Sequence, residues 1–467
     1  MTAVELPKSP PNGARPAGRA ARPQNGQNGQ TGGSQGPVDT YEQLRQEVLA
    51  EIQRRSGSAD DPVAVETLAR AVVDGYQAKA RSGFGGRALA NPGDVVARLC
   101  RSVLDWGPLT PHFTGQVVFE EMFFHGADIS WLDGEGRLVS LDEPISAAEV
   151  RSIVDRLLAT AGAAVDESRP MIQVQVLDGR ARLGVVIPPI ADALDATLRW
   201  YMIRRETMDL LVRWGSLSPE AASLLVACMG TPTGVLLVGP PGSGKTSLGN
   251  AMLKAVPAAT RVVCCEDTPE LQTDHLNASR WRTRPTTPDG TGEVALRDLV
   301  RQALGMRPDL IVVGEVRGAE AYELTRAANA GCGLLTTVHA NSAKQGLQAL
   351  VSTAIMAGQN VPADQVRDVF ASTVDLVVHM AREPVEHKRP GGGPIRRQVM
   401  EIVALPPHAA SKVDFAVEPI FSREEFGAPL RWTQNPLPDD LRGRLDRALR
   451  PRGVSVQAIL EGRESLL

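Results

Sequence analysis

Between residues 41 and 56 apolar side chains recur at Leu44, Val48, Leu49 and Ile52, the spacing that lines up one side of a helix. A second stretch of the same period covers residues 63 to 76, and the two predict a helical lead-in over residues 39 to 90. The rhythm then changes. Residues 117 to 133 predict two short strands ending at the Asp133-Gly134 turn, and Ser146 with Glu149 predicts a capping box. The helix that follows places Val150, Ile153, Val154, Leu157 and Leu158 on one face. Strand-like sequence resumes over residues 171 to 177, turns at Asp178-Gly179, returns through residues 182 to 187 and stops at Pro188-Pro189. Together these elements predict an α+β domain over residues 91 to 203.

Residues 204 to 218 are polar and mixed, which predicts a linker. Beyond them, residues 234–238, 261–265, 309–313 and 334–338 form short β-rich runs separated by helical patterns. That alternation predicts an α/β domain over residues 219 to 404, a mostly parallel sheet with helices on both faces. Residues 405 to 467 are set apart as a C-terminal extension. No internal repeat is visible.

Composition adds limits. A chain of 467 residues exceeds what one core supports, so several domains are expected. Residues 1 to 38 are rich in Pro, Gly, Gln, Asn and Ala, with Lys8, Arg15, Arg19 and Arg22 as most of their charge, and predict a disordered tail. The net charge of −4 is too small to point to a nucleic-acid or anionic-lipid partner. Five cysteines include no CxxC, and the adjacent Cys264 and Cys265 fall on opposite faces of a strand, so reduced structural thiols are expected. No apolar stretch approaches the ~20 residues needed to span a bilayer. The N-terminus lacks a signal-peptide core, so a cytoplasmic chain without direct membrane insertion is expected, any membrane association coming through partners.

Four segments carry candidate chemistry. Gly239-Pro240-Pro241-Gly242-Ser243-Gly244-Lys245-Thr246 lies between an apolar strand and a helix, where a phosphate-binding loop has to be. Glycines let backbone N–H groups curl around a phosphate, the helix N-terminus favours negative charge, Lys245 reaches the β/γ-phosphates and Thr246 ligates Mg2+. After the next strand comes Glu266-Asp267-Thr268-Pro269-Glu270, whose carboxylates suit metal waters or proton acceptance, although Asp267 and Glu270 would serve equally as helix caps. Residues 307 to 317, RPDLIVVGEVR, end an apolar strand on Glu315 in a Walker B arrangement, with Gly314 where Asp is common. Residues 334 to 341, LLTTVHAN, deliver His339 to the same sheet edge; a lone histidine is more often structural, but these neighbours favour phosphate sensing.

The P-loop, the EDxxE box, RPDLIVVGEVRG and TTVHANS together resemble the secretion-superfamily traffic ATPases. The likeness is strongest to the branch that powers Tad/Flp pili and related type II/type IV secretion machines, because VDESRPMIQVQVLDGRARLGVVIPP (165–189), GPLTPHF (107–113), TRP (283–285) and GEVALRDLVRQAL (292–304) agree as well. Coverage runs over residues 96 to 403, and PIFSREEFG (419–427) looks like the family's variable extension.

The resemblance implies a RecA-like P-loop ATPase domain preceded by a smaller PAS-like N-terminal domain, in a homohexamer that uses ATP and Mg2+. It implies Lys245 and Thr246 as phosphate and Mg2+ ligands, Glu270 as the water-activating carboxylate, Glu315 as the Walker B glutamate on metal and γ-phosphate, and His339 as the switch histidine. It also implies that Arg182 and Arg199 reach the phosphates when domains close; otherwise they are surface arginines of a strand pair. An inner-membrane platform protein is the implied partner, with recruitment to the inner face of the cytoplasmic membrane and no stable nucleic acid. Two departures stand out. Ala330-Gly331-Cys332-Gly333 lacks a histidine and one residue of the family pattern, and Gly305 replaces an arginine. Both are expected near the cleft, where they would alter coupling or turnover. A nucleic-acid translocase and a non-hydrolysing nucleotide-binding scaffold are the competing functions.

Overall fold

In the computed structural model, which describes residues 37–55, 61–83, 86–134, 137–200, 206–273, 275–284, 291–329, 331–357, 362–383, 396–406, 409–411 and 414–467, the chain forms two compact units, Met1–Leu104 and Asp105–Leu467. The predicted tail lies outside the described residues up to position 36.

The first unit holds α1 (Pro37–Arg54), α2 (Pro62–Arg81) and α3 (Pro92–Leu104). Each opens on proline, whose fixed φ suits a first helical turn and whose missing N–H has no partner to lose there. Asp61 caps α2 by accepting from Val63 N. Leu44, Val48, Leu68, Ala69, Val73, Val96 and Leu99 form the core, and Arg45 Nε donates to Ser102 Oγ across it at 2.9 Å. Thus α3, which the sequence assigned to the α+β domain, packs on α1 and α2 instead.

The second unit opens with α4 (Thr110–Phe113) and a sheet of β1 (Phe119–His125), β2 (Asp128–Asp133), β3 (Leu138–Ser140), β4 (Met171–Val176), β5 (Ala181–Val186) and β6 (Asp195–Trp200). Among the described residues its order is β3-β2-β1-β6-β5-β4, antiparallel throughout. One face is covered by α5 (Ala147–Ala159), capped by Ser146 Oγ, which accepts from Glu149 N. Burial alternates along β5: Ala181, Leu183 and Val185 enter the core while Arg182, Gly184 and Val186 face outward. Period two with one wet face is what an antiparallel sheet covered on one side requires.

The predicted linker is not featureless. It contains α6 (Met208–Arg213), capped by Thr207 and anchored in the core by Met208 and Leu211. After α7 (Pro219–Met229) come β7 (Gly234–Val238), α8 (Lys245–Leu253), β8 (Val262–Glu266), β9 (Ala278–Arg282), α9 (Leu296–Leu304), β10 (Leu310–Val313), α10 (Glu320–Asn329), β11 (Gly333–Val338), α11 (Ala343–Met356), α12 (Ala363–Thr373) and β12 (Leu376–Arg382). Among the described residues, β12, β7, β11, β10, β8 and β9 lie side by side in parallel. β13 (Arg397–Ala404), β14 (Glu418–Ser422) and β15 (Arg431–Trp432) extend the sheet antiparallel from β12.

The residues set apart as an extension are therefore continuous with this sheet. α13 (Asp439–Leu449) and α14 (Val456–Leu460) add Leu441, Leu445 and Ile459 to one of its cores. Successive strand residues enter opposite cores: Val235, Leu237 and Cys264 one, Leu236, Val238 and Cys265 the other.

Candidate functional site

Parallel strands bring all their C-terminal ends to one edge, and β7, β8, β10 and β11 are neighbours there. The turn after β7 passes through Gly242 and Gly244 at φ of +72° and +94°, values that a side chain would strain, and enters α8 at Lys245. The first N–H groups of α8 have no intrahelical acceptor, so an anion is favoured at this point. The Lys245 ammonium is buried and donates to the carbonyls of Gly239 and Pro240 at 2.8 and 3.2 Å. Burial pushes it down to about 8, against the pull of Glu315 and Glu270.

Around this loop the predicted residues converge. Thr246 Oγ1 donates to Glu270 Oε2 at 3.0 Å. His339 places Nδ1 3.1 Å from Lys245 Nζ and Nε2 2.5 Å from Glu315 Oε1, bridging the P-loop lysine and the Walker B carboxylate. The other oxygen of Glu315 pairs with Arg317. Burial, and then Glu320, push Asp267 up, opposed by Thr283, Arg317 and Arg182. Burial pushes Glu266 up to about 7, although the amides of Leu271 and Glu270 bond to it.

The six-stranded sheet faces this edge with charge. Arg182 and Arg199 are direct cross-strand partners, and Glu121 is the partner of Arg199 on its other side. Arg199 lies 3.9 Å from both Glu121 and Glu270, so it joins the sheet to the acidic box, while Arg182 donates to Gln173 and acts on Asp267 through its field.

Sequence reasoning did not single out several groups that the fold brings here. Arg397 of β13 donates to the Gly242 carbonyl at 2.9 Å from 155 positions away and lies 3.6 Å from Glu120, a contact with no sequence signal. The buried Glu206 accepts from Ser247 Oγ at 2.9 Å and its carbonyl from Lys254 Nζ at 2.7 Å, fixing α8 from outside. Arg317 had a signal, since it follows Glu315 by two positions in the same motif.

The two departures lie elsewhere than expected. Gly305 ends α9 before β10, and Cys332 precedes the first residue of β11. At that same end of the strands Gly333 N donates to the Asp309 carbonyl, and Asp309 and Arg261 bond to each other. Residues that enter a parallel strand sit at the opposite edge from residues that leave it, at about 3.3 Å per strand residue. Within this chain neither departure is at the nucleotide edge.

A glycine turn leading from a buried parallel strand into a helix that opens on lysine, flanked by carboxylates from the next strand ends, defines a P-loop nucleotide-binding protein. The family model described as type II/IV secretion system protein matches residues 136–410, more than half of the sequence, and the chain belongs to that family. A putative conjugal transfer protein of Mycobacterium tuberculosis is 36% identical over 271 residues, covering 56% of this chain and 76% of the relative. Type IV secretion system protein PtlH of Bordetella pertussis is 30% identical over 260 residues, covering 50% of this chain and 74% of that protein. The crystal structure of the VirB11 ATPase of the Brucella suis type IV secretion system aligns with 22% identity and a TM-score of 0.33, over 64% of this chain and 95% of that one.

Proposed function

We propose that this chain is a Mg2+-dependent, ATP-hydrolysing motor that works as a homohexamer and powers type II/type IV secretion or Tad/Flp-type pilus assembly. One observation carries the reading: Lys245, Thr246, Glu270, Glu315 and His339, from four neighbouring strand ends, lie at one edge of the sheet, where His339 links Lys245 to Glu315 and Thr246 bonds to Glu270. In this reading the nine-stranded domain is RecA-like and the six-stranded domain PAS-like. Lys245 and the α8 N-terminus hold the β/γ-phosphates, and Glu270 accepts the proton of the attacking water. His339 senses the γ-phosphate through its contacts with Lys245 and Glu315. Arg182 and Arg199 supply positive charge from the facing sheet.

The residues fit Mg2+. Among the described residues no group of three or more His, Cys, Asp or Glu could cage a metal alone. A Mg2+ shared with substrate phosphates needs only one or two protein groups, and in this reading Thr246 and Glu315 would hold it. Bound there, Mg2+ would neutralise charge on the triphosphate.

Among the described residues no helix is long and apolar enough to cross a membrane, and in this reading the chain acts at the inner face of the cytoplasmic membrane through a platform protein. The conjugal-transfer and secretion names of the relatives favour a secretion machine as that setting. Phosphate release by the purified chain, with Mg2+ and then with EDTA, tests the proposal, light scattering reporting the oligomer. Mg2+-dependent turnover by a hexamer is expected. Nucleotide binding without turnover would replace the motor with a scaffold, and turnover that depends on added DNA would replace it with a translocase.

A further inference from the structure

The proposed function gives Glu266 no role of its own, yet it is 2% exposed and stands at the end of β8 beside the site. A carboxylate taken from water needs partners, and its Oε1 has two: the N–H of Glu270 and the N–H of Leu271, each at 2.9 Å. These bonds fold residues 266 to 271 back on themselves. The same loop is held from α8, where Asn250 Nδ2 donates to the Glu270 carbonyl at 3.3 Å and Asn250 Oδ1 accepts Gln272 N at 2.7 Å. The Glu270 carboxylate is thereby presented to Thr246.

The other side of Glu266 explains a feature of β10. A Cβ built on Gly314 would lie 2.9 Å from Glu266 Cγ and 3.3 Å from its Oε1. Any side chain at position 314 and the observed Glu266 rotamer exclude one another. Glycine stands before Glu315 because the stem of Glu266 fills the space that an aspartate there would need.

We infer that Glu266 is a positioning residue for hydrolysis, clamping the backbone of Glu270 so that its carboxylate meets Thr246, and that Gly314 is the cradle admitting it. Two backbone N–H groups donating to one buried carboxyl oxygen fix a loop directionally, and small displacements of a reacting group cost rate steeply. The inference rests on Glu270 serving ATP hydrolysis.

Three variants of the full chain test it. Glu266→Ala should lower kcat at least about tenfold with KM for ATP within about threefold, because the lost interaction acts on the reaction rather than on binding. Glu266→Gln keeps an acceptor oxygen for both N–H groups and should hold kcat within about threefold of the parent. Gly314→Ala, which leaves the carboxylate intact but crowds it, should reproduce the Glu266→Ala loss. Hydrogen exchange at the Glu270 and Leu271 amides, measured without nucleotide, should quicken in Glu266→Ala and Gly314→Ala and stay parental in Glu266→Gln. Should Glu266→Ala not fold, the other two variants decide. Parental turnover in Gly314→Ala, or Glu266→Gln as slow as the alanine variant, overturns the clamp. A parent that never hydrolyses ATP but shows this exchange pattern refutes the hydrolysis reading and leaves the clamp standing.

Discussion

In the large sheet β7, β8 and β10 are buried at every position, whereas in the small sheet β5 and β6 alternate between buried and outward residues. A strand gripped by two cores can neither twist nor slide without breaking both, so the groups at its end are held to a fraction of an ångström. Glu315 and His339 follow such strand ends within two residues, Lys245 opens α8 after the turn that leaves β7, and Glu270 sits in the turn that leaves β8. The small sheet has one core and offers its other face. There Arg182 and Arg199 stand directly opposite, a like-charge pairing that costs about 0.2–1 kcal/mol on a sheet surface. Glu121 and Glu270 offset that cost, and Glu270 belongs to the other sheet. On the proposed function the comparison teaches a division of labour: one sheet carries the phosphate-binding and carboxylate groups, and the other lends charge beside them.

Substitutions at the groups held by the large sheet should have the largest effects. General-base groups contribute about 10²–10⁴-fold, so Glu270→Gln should slow turnover within that range while ATP binding, followed by fluorescent-nucleotide titration, persists. Glu315→Gln should behave alike. Normal turnover in Glu270→Gln beside a dead Glu315→Gln would move the base to Glu315, which His339 and Arg317 already polarise. Next comes Lys245→Ala, which removes charge-assisted bonds worth about 1.5–3 kcal/mol and should cost about 10- to 150-fold in turnover. Hydrolysis at the parental rate would detach the P-loop from the chemistry.

The smallest effect is on stability. Glu266 keeps its proton up to about 7 when folded, against an ordinary 4.5. Between those values the folded state binds more protons than the unfolded one, so this group's contribution to stability declines as pH rises. Glu266→Gln removes that slope. The Tm of the variant minus that of the nucleotide-free parent should grow from about pH 5 to about pH 7.5 and then level off. A difference that stays flat with pH would mean that Glu266 is ionised throughout.

In the large sheet β7, β8, β10 and β11 were legible because a run buried on both faces is continuously apolar, as β7 and β10 are. The P-loop, the acidic box, Glu315 and His339 followed, since each is the residue at which such a run ends. β9 escaped because an edge strand reading Ala-Ser-Arg-Trp-Arg places its arginines toward water and has no apolar run to show. α6 escaped because six residues are too few to display a period. Placing Gly305 and Cys332 at the wrong edge had a different cause, for closeness to a motif in sequence does not say whether a residue enters the strand or leaves it. Contacts such as Arg397 with Gly242 depend on the order of strands in the sheet, which no local pattern carries.

The division of labour is tested most directly by measuring ATP affinity and kcat on one preparation of Arg182→Ala/Arg199→Ala, with light scattering to confirm the oligomer. Because the large sheet keeps every group that holds the phosphates, the dissociation constant should stay within about threefold of the parent, while transition-state charge left without its arginines should lower kcat at least about tenfold. A double variant that keeps the parental oligomer and the parental kcat would show that the small sheet lends no charge to the reaction, and the account of two cooperating sheets would be wrong.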